Sequence, residues 1–236
     1  MNVVILLAGG KGVRMKAKIA KQHIEVEGHE IIEYTLSAFS KSEDVDEIYI
    51  VSNRDYMDEA NALKARFPKL KDVIPGGETR PLSVLHGITF LTDRLSSDDK
   101  VILSDAVRPC ITLREIHDVY DSLDRYPAVT TGVEVYETVL LTDGSSQLDK
   151  IIPREGVFRQ TSPEGYLFKI LRQLYVEKDI NVIKNYRNIG IDQLHDKGEQ
   201  VGIVKSTPLN FKITTQEDLI LFETTIKKAF RVNWDT

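Results

Sequence analysis

Residues 2–15, NVVILLAGGKGVRM, join a short apolar run to a glycine-rich turn. The run from residue 2 to residue 7 is long enough for one buried strand, and the glycines after it let the backbone approach a ligand closely. The whole chain has a net charge of -5, yet its first 21 residues hold five cations and no acid. The five are Lys11, Arg14, Lys16, Lys18 and Lys21. Free backbone N–H groups beside such cations form a cradle for phosphate groups, so this stretch is predicted to bind a polyanion.

The glycine turn matches neither of two common phosphate-binding motifs. A dinucleotide fingerprint requires G-x-G-x-x-G, and Met15 stands at the third glycine position. A Walker loop requires G-x-x-x-x-G-K-[ST], and no glycine here precedes a lysine followed by Ser or Thr. The glycines alone would favour a simple turn with a solvated basic face. The full string LLAGGKGVRM, followed by AKQ at residues 20–22, favours phosphate binding instead.

Composition limits the class of protein. The 236 residues are 42% hydrophobic, enough for a substantial core, and are most simply one α/β domain spanning 1–236. The single cysteine, Cys110, cannot form an internal disulfide, and the histidines show no ligand spacing, so zinc and iron–sulfur sites are not expected. Strand-sized apolar stretches and the absence of a signal-peptide pattern predict a cytoplasmic protein with no membrane contact. The acidic balance argues against nucleic acid as a partner.

Strand-length apolar runs alternate with helical patterns over the first 135 residues. Strands are predicted at 2–7, 48–51, 73–74, 101–103 and 129–135, and helices at 30–40, 56–67, 82–95 and 112–125. This alternation is typical of an α/β fold with a mostly parallel, Rossmann-like sheet flanked by helices, whose ligand lies beyond the carboxyl ends of the strands. Because Gly9, Gly77 and Asp105 each follow a predicted strand, we expect one crevice to collect all three.

The pattern changes after residue 135. Residues 137–159 are polar and turn-rich, which predicts a β-hairpin arm projecting from the body, although a long surface loop fits the pattern about equally well. Further on, a helix is predicted at 168–176, and strands at 201–204 and 211–213. A capping box at residues 214–217, TTQE, is predicted to begin the last helix.

Three strings carry further candidate site residues. DAVRP at 105–109 places a carboxylate past a strand end, where it suits Mg²⁺ bridging triphosphate oxygens, or merely caps a turn and pairs with Arg108. GGETRPLS at 76–83 opens a helix, where Ser83 either meets the ribose or base of a nucleotide or only caps the helix. Lys212 lies in an otherwise neutral run, where a lysine more often reaches for water than binds a substrate.

In this order, the strings resemble the cytidylyltransferase family of 2-C-methyl-D-erythritol 4-phosphate and D-ribitol 5-phosphate enzymes, over nearly the whole chain. The resemblance implies a nucleotidyltransferase-type α/β fold with a projecting β-arm that builds a homodimer. It implies an enzyme that uses Mg²⁺ to condense CTP with a phosphorylated alcohol, giving a CDP-alcohol and pyrophosphate. The implied nucleotide contacts are Leu7, Ala8, Gly9, Gly10, Gly77, Glu78, Ser83 and Ala106. The implied catalytic residues are Arg14, Lys21, Lys212 and Arg154, the metal contact is Asp105, and the acceptor contacts are Arg108, Thr138 and Arg154, the last two acting across the dimer.

The chain departs from the family pattern at two places. Ser104 precedes the aspartate where the family usually has His, and residues 182–188, VIKNYRN, lack the family's usual acidic triplet. Lys184 and Arg187 stand there instead, which predicts an acceptor with more negative charge than a tetritol phosphate, although two solvent-facing cations with no effect on the acceptor fit the pattern about equally well. The ribitol-phosphate branch is favoured by three residues, Val107, Thr112 and Leu113. We therefore expect a polyol or sugar phosphate of envelope or capsule synthesis, with the methylerythritol phosphate of isoprenoid synthesis as the alternative.

Two rival functions stay open at this point. A sugar-1-phosphate uridylyl- or guanylyltransferase shares the glycine loop, but it does not predict GGETRPLS. A non-catalytic nucleotide-binding relative would explain the missing acids. Against the second rival stands the retention of four residues, Arg14, Lys21, Asp105 and Lys212.

Overall fold

The computed structural model describes residues 1–10, 19–184 and 190–229. The strands are β1 (Asn2–Ala8), β2 (Glu25–Val26), β3 (His29–Glu30), β4 (Glu47–Ser52), β5 (Leu70–Pro75), β6 (Lys100–Asp105), β7 (Ala128–Glu134), β8 (Val139–Thr142), β9 (Leu148–Ile152), β10 (Phe158–Leu167) and β11 (Val201–Lys205). The helices are α1 (Ile31–Lys41), α2 (Met57–Ala62), α3 (Arg80–Leu91), α4 (Leu113–Ser122), α5 (Phe168–Leu171), α6 (Ile180–Lys184), α7 (Ile191–Asp196) and α8 (Gln216–Ala229).

Seven strands form the central sheet, in the order β11-β7-β10-β6-β1-β4-β5. Six of the seven run parallel, and β10 is antiparallel to both of its neighbours, β6 and β7. The predicted mostly parallel sheet is therefore confirmed. Parallel strands share one carboxyl edge, and that edge is where the glycine turns after β1 and β5 meet.

Helices cover both faces of the sheet, and β1 shows why its sequence is apolar throughout. Val3, Ile5 and Leu7 pack on the face that carries α3 and α5. Val4 and Leu6 pack on the opposite face, with α1, α2 and α4. A strand that is buried on both faces reads as a continuous hydrophobic run rather than as an alternating one.

The strand β10 was not predicted, because it is polar for a buried strand. Thr161, Ser162 and Glu164 are all buried, and Pro163 follows a cis peptide bond. Each of these side chains has a hydrogen-bond partner inside the protein, such as the bond of 2.9 Å between the hydroxyls of Thr161 and Thr131 and that of 2.8 Å from the Gln160 amide to Oε1 of Glu164. A sequence pattern that relies on apolar periodicity cannot recognise a strand of this kind.

Three smaller predictions need correction. The helix expected at 56–67 is divided, since α2 is flanked by 3-10 turns at Arg54–Tyr56 and Leu63–Ala65. Residues 211–213 are not a strand but irregular chain beside the loop that follows β6. The capping box of α8 is formed by Thr215 and Asp218, one residue beyond the predicted pair of Thr214 and Glu217. The Asp218 carboxylate accepts from the backbone N–H of Thr215 at 2.9 Å. In return, the Thr215 hydroxyl accepts from the backbone N–H of Asp218 at 3.3 Å.

The arm at 137–159 contains a hairpin, as predicted. Strands β8 and β9 pair with each other in a two-stranded sheet of their own. Leu140 and Ile151 face each other across it, and both are more than half exposed, at 58% and 57%. In the described part of the chain, none of the helices has both the length and the apolarity that crossing a bilayer requires.

Candidate active site

An open cleft of about 1090 Å³ lies at the carboxyl edge of the sheet. Each neighbouring strand contributes a lining residue at or just past its end: Gly9 from β1, Asn53 from β4, Gly76 and Gly77 from β5, and Asp105 from β6. The structure thus brings Gly9, Gly77 and Asp105 together, as expected for parallel strands that end at one edge.

The second glycine turn is folded tightly against the start of α3. A Cβ atom on Gly77 would lie 2.5 Å from the Cβ of Leu82, so only glycine fits there. The backbone N–H of Gly77 donates to the Ser83 hydroxyl at 3.1 Å, and that hydroxyl lies within 3.1 Å of the Thr79 carbonyl, to which it donates. Ser83 therefore fixes the turn that lines the cleft, which goes beyond a simple helix cap.

Asp105 is the electrostatic centre of the described cleft. One carboxylate oxygen lies 3.2 Å from Nε of Arg108 and 3.1 Å from Nζ of Lys212, and the other lies 3.5 Å from Nη2 of Arg80. Burial by itself would raise the pKa of Asp105, but Arg80, Lys212 and Arg108 outweigh it and hold that pKa well below its usual range. The carboxylate is therefore ionised throughout the neutral pH range.

Both lysines of the predicted site are tied to one irregular segment, residues 210–214. Lys21 begins a 3-10 turn, is only 8% exposed, and donates from Nζ to the carbonyl of Ile213 at 2.7 Å. Lys212, the residue before Ile213, reaches the Asp105 carboxylate. Next to Lys21, the Gln22 amide donates to the Ala8 carbonyl at 2.7 Å and ties the turn to the end of β1.

Arg80 is a site residue that the sequence reading missed. It is the first residue of α3, lines the cleft and pairs with Asp105. The sequence did carry a signal for Arg80, because the helix dipole disfavours a cation at a helix N-terminus. An arginine at that position therefore calls for an anion nearby, which here is the Asp105 carboxylate.

Glu164 is a second residue without a sequence signal. Its carboxyl is buried on β10 and accepts from the Gln160 amide at 2.8 Å. Burial raises its pKa to about 7, an effect that Arg80 opposes and Asp105 increases. Glu164 is thus a second acidic group that interacts electrostatically with Arg80 and Arg108, but it does not line the cleft.

Most predicted nucleotide contacts line the cleft: Leu7, Ala8, Gly9, Gly10, Gly77, Glu78 and Ser83, along with Lys21, Asp105 and Lys212. Ala106 does not, because it is fully buried and its N–H donates to the Leu7 carbonyl at 3.0 Å. Arg108 does not line it either, since its side chain is 11% exposed and held by Asp105 and the Asn210 carbonyl.

Thr138 and Arg154 lie in the arm, outside the cleft of their own chain. Nη1 of Arg154 donates to the Tyr136 carbonyl at 2.7 Å. Lys184 lines the cleft from α6. Arg14 and Arg187, together with Lys11, Lys16 and Lys18, lie outside the described residues.

Comparison with known proteins identifies the family. The family model of 2-C-methyl-D-erythritol 4-phosphate cytidylyltransferase matches residues 2–228. A protein of that name from Thermotoga neapolitana is 32% identical over 98% of this chain and 100% of its own length. A ribitol-5-phosphate cytidylyltransferase from Streptococcus agalactiae serotype V is also 32% identical, over 94% of each chain.

Solved structures show the same fold. The 4-diphosphocytidyl-2C-methyl-D-erythritol synthase of Anaerococcus prevotii matches with a TM-score of 0.80 at 24% identity, over 96% of this chain and 98% of that one. The 2-C-methyl-D-erythritol 4-phosphate cytidylyltransferase of Francisella tularensis matches with a TM-score of 0.76 at 26% identity, over 94% and 98%. The chain therefore belongs to the 2-C-methyl-D-erythritol 4-phosphate cytidylyltransferase family, a family of CTP-dependent nucleotidyltransferases.

Proposed function

We propose that this protein condenses CTP with a phosphorylated polyol or sugar, of the ribitol 5-phosphate type, and releases a CDP-alcohol and pyrophosphate. The observation that carries the proposal is the cleft in which two glycine turns face a cluster of cations around Asp105. An oxygen of the acceptor phosphate attacks the α-phosphorus of CTP. The new P–O bond forms as the bond from the α-phosphorus to the bridging oxygen of the β-phosphate breaks, and pyrophosphate leaves with that oxygen.

The nucleotide is best accommodated across the two glycine turns. We place the triphosphate at Gly9 and Gly10, where backbone N–H groups and Lys21 supply positive partners, and the cytidine at the turn that holds Gly77, Glu78 and Ser83. The acceptor phosphate is already an anion, so no strong general base is needed. The protein instead holds two anions in line and stabilises the charge that develops on the α-phosphorus and on the leaving group, a task that suits Lys21, Lys212 and Arg14.

Asp105 fits the role of a magnesium ligand. The described residues contain no group of three or more His, Cys, Asp or Glu side chains able to hold a metal ion. Mg²⁺, however, is usually bound by one or two carboxylates together with substrate phosphates and waters. Asp105 lines the cleft, and the ion pair that one of its oxygens makes with Arg80, at 3.5 Å, is the longest of its three ion pairs. Bound Mg²⁺ would neutralise charge on the triphosphate oxygens.

The acceptor site is proposed to be completed by a second copy of the chain. Thr138 and Arg154 lie in the arm rather than in the cleft of their own chain. The arm also exposes Leu140 and Ile151 as a facing pair, and apolar surface of this kind is typical of an interface. A homodimer built through the arms would cover this surface and bring Thr138 and Arg154 of each copy toward the cleft of the other.

The choice of acceptor rests on fewer residues. The relatives carry both names, ribitol-5-phosphate and 2-C-methyl-D-erythritol 4-phosphate cytidylyltransferase. Lys184 lines the cleft, which supports an acceptor with extra negative charge, and envelope or capsule synthesis is the pathway class that fits a polyol phosphate. Methylerythritol phosphate is the alternative. A reducing cytoplasm is proposed as the compartment, supported by the single cysteine.

Turnover with a panel of substrates tests the proposal. Pyrophosphate release is measured with CTP, UTP or GTP against ribitol 5-phosphate, 2-C-methyl-D-erythritol 4-phosphate and other polyol phosphates, with and without Mg²⁺. We expect CTP and ribitol 5-phosphate to give the highest kcat/KM. A preference for UTP or GTP would contradict cytidylyl transfer by this chain. A preference for methylerythritol phosphate would overturn the acceptor assignment alone, and no release with any pair would favour a non-catalytic nucleotide-binding protein.

A further inference from the structure

Asn210 is a buried residue next to the cleft that no part of the reaction uses directly. It is 1% exposed and lies two positions before Lys212. Its side-chain amide donates to the Ser162 carbonyl on β10 at 2.8 Å and to the Glu115 carboxylate in α4 at 3.2 Å. Its own backbone carbonyl accepts from Nη1 of Arg108 at 2.9 Å. One residue thereby joins two elements of the fold to the cation cluster.

The Glu115 end of this connection is firmly anchored. One oxygen of the Glu115 carboxylate accepts from both the N–H and the hydroxyl of Thr112 at 3.0 Å, which completes the capping box of α4. The other oxygen accepts from the Ser206 hydroxyl and from Asn210. Since Glu115 is 3% exposed, its position is set by the core and not by solvent.

The segment that Asn210 begins contains Lys212 and accepts the hydrogen bond of Lys21. Residues 210–214 form no strand or helix, so regular secondary structure does not fix their path. The N–H of Ile213 donates to the Val107 carbonyl at 3.0 Å, and the carbonyl of Ile213 accepts from Lys21. Lys212 extends from the same segment to Asp105. A shift of this segment would move Lys212 directly and Lys21 through its hydrogen bond.

The amide group is well matched to this place. Two acceptors, a carbonyl and a carboxylate, converge on Asn210, and a primary amide supplies two donors in a fixed plane. Aspartate would put a second negative charge against Glu115, and alanine would leave both acceptors without this donor. Within the described residues, Oδ1 of Asn210 has no hydrogen-bond partner. Burying an unused acceptor is unfavourable, so packing alone does not explain an amide here.

From these contacts we infer that Asn210 is a positioning residue for the transfer reaction, one that sets where Lys212 and Lys21 stand relative to Asp105. The inference rests on the proposed function of the two lysines. It assigns Asn210 no contact with the substrates. Its effect should therefore appear in kcat, because small displacements of charge-stabilising groups weaken the transition state more than they weaken nucleotide binding.

The test compares Asn210→Ala with Thr131→Val, measured well below both melting temperatures. Thr131 is a matched control, because it is fully buried and its hydroxyl donates to the Pro163 carbonyl on β10 at 3.0 Å, but it has no bond to residues 210–214. We expect Asn210→Ala to lower kcat about 10- to 100-fold with KM for CTP changed less than about threefold. Thr131→Val should lower the melting temperature while kcat stays near wild type. Asn210→Ser, which keeps one donor, replaces Asn210→Ala if the alanine variant does not fold.

A double-mutant cycle with Lys212→Arg separates positioning from a structural role. Lys212→Arg keeps a cation but changes its geometry, so the penalty of the Asn210 change should shrink in that background if the two residues act together. Any of three results would overturn the inference. These are a wild-type kcat in the Asn210 variant, an equal loss of kcat in Thr131→Val, and an unchanged loss of kcat from the Asn210 change in the Lys212→Arg background. The proposed role of Lys212 is tested separately, in a Lys212→Ala variant that keeps Asn210. A wild-type kcat in that variant would overturn the role of Lys212 itself.

Discussion

Replacing Lys21 by alanine is the most direct test of the active-site assignment. The ammonium group is nearly buried and lies 2.7 Å from the Ile213 carbonyl, beside the glycine turn that follows β1. It donates to a neutral carbonyl, and we propose that it also faces the triphosphate of CTP. Lys21→Ala should therefore affect the transition state much more than it affects the fold.

The two effects can be estimated separately. Removing one preorganised donor that faces developing charge typically lowers kcat about 10² to 10³-fold, or roughly 2.7–4 kcal/mol. For the fold, the variant loses a charged hydrogen bond to Ile213, worth about 1.5–3 kcal/mol, and part of this is regained because a buried cation no longer needs to be desolvated. A net loss of about 1 kcal/mol would lower the melting temperature by roughly 2–4 °C in a domain of this size.

The assay measures pyrophosphate release at saturating CTP and acceptor, alongside thermal unfolding. Lys69→Ala is the matched control, because Nζ of Lys69 donates to the Ser42 carbonyl at 2.6 Å and Lys69 does not line the cleft. We expect Lys69→Ala to lose stability but not turnover, and Lys21→Ala to lose turnover by at least 100-fold. A Lys21→Ala variant that keeps more than about a tenth of wild-type kcat would contradict a catalytic role for Lys21, because the lysine would then be only a structural donor.

Four further outcomes are expected. Asp105→Asn should abolish Mg²⁺-dependent turnover, because it removes a carboxylate ligand. It should also lower the melting temperature, because three cations lose their common anion. An Mg²⁺ titration like that of wild type would show that Asp105 is only an ion-pair partner. Gly77→Ala should raise KM for CTP at least about tenfold, because the new Cβ would lie 2.5 Å from the Cβ of Leu82 and would displace the turn. Gly10→Ala should unfold at the wild-type temperature, because the space around its new Cβ is open. The double change Leu140→Asp and Ile151→Asp should halve the mass measured by light scattering, and an unchanged mass would contradict a dimer formed through the arm. Burial raises the pKa of Glu164 from 4.5 to about 7, so its contribution to stability is complete below pH 4.5 and is lost as the pH rises through 7. Glu164→Gln should remove that loss, about 2.5 kcal/mol between pH 5 and pH 8 in urea unfolding, and equal pH dependence in both proteins would contradict it.

The sequence predicted those parts of the fold in which one physical signal dominates. Strands such as β1 and β4 are buried on both faces and read as continuous apolar runs, and α1 and α4 show a clear helical period. The convergence of Gly9, Gly77 and Asp105 followed from parallel strands alone. The strand β10 was missed because several of its buried residues are polar and are held by hydrogen bonds, so its sequence has no apolar periodicity.

Parts of the site depend on pairings that are distant in the sequence. The bond from Lys21 to the Ile213 carbonyl joins residues 192 positions apart, and the Asn210 amide joins residues from α4 and β10. A linear pattern carries no information about which carbonyl faces which donor. The roles of Arg14 and Arg187 stay predictions, since both lie outside the described residues.

The charge arrangement around Asp105 explains how three cations are held close together in a partly buried site. Three cations, from Arg80, Arg108 and Lys212, face one carboxylate, so the group keeps a net charge of 3 − 1 = +2. Without Asp105 they would repel one another in a partly buried site, and with it they stay ordered near the proposed position of the α-phosphorus. We expect a polyphosphate to attract Lys212 and Arg80 over a short distance, without a large rearrangement of the chain. Preorganised charge of this kind is what transfer between two anions requires, since little reorganisation is left to be done when the new bond forms.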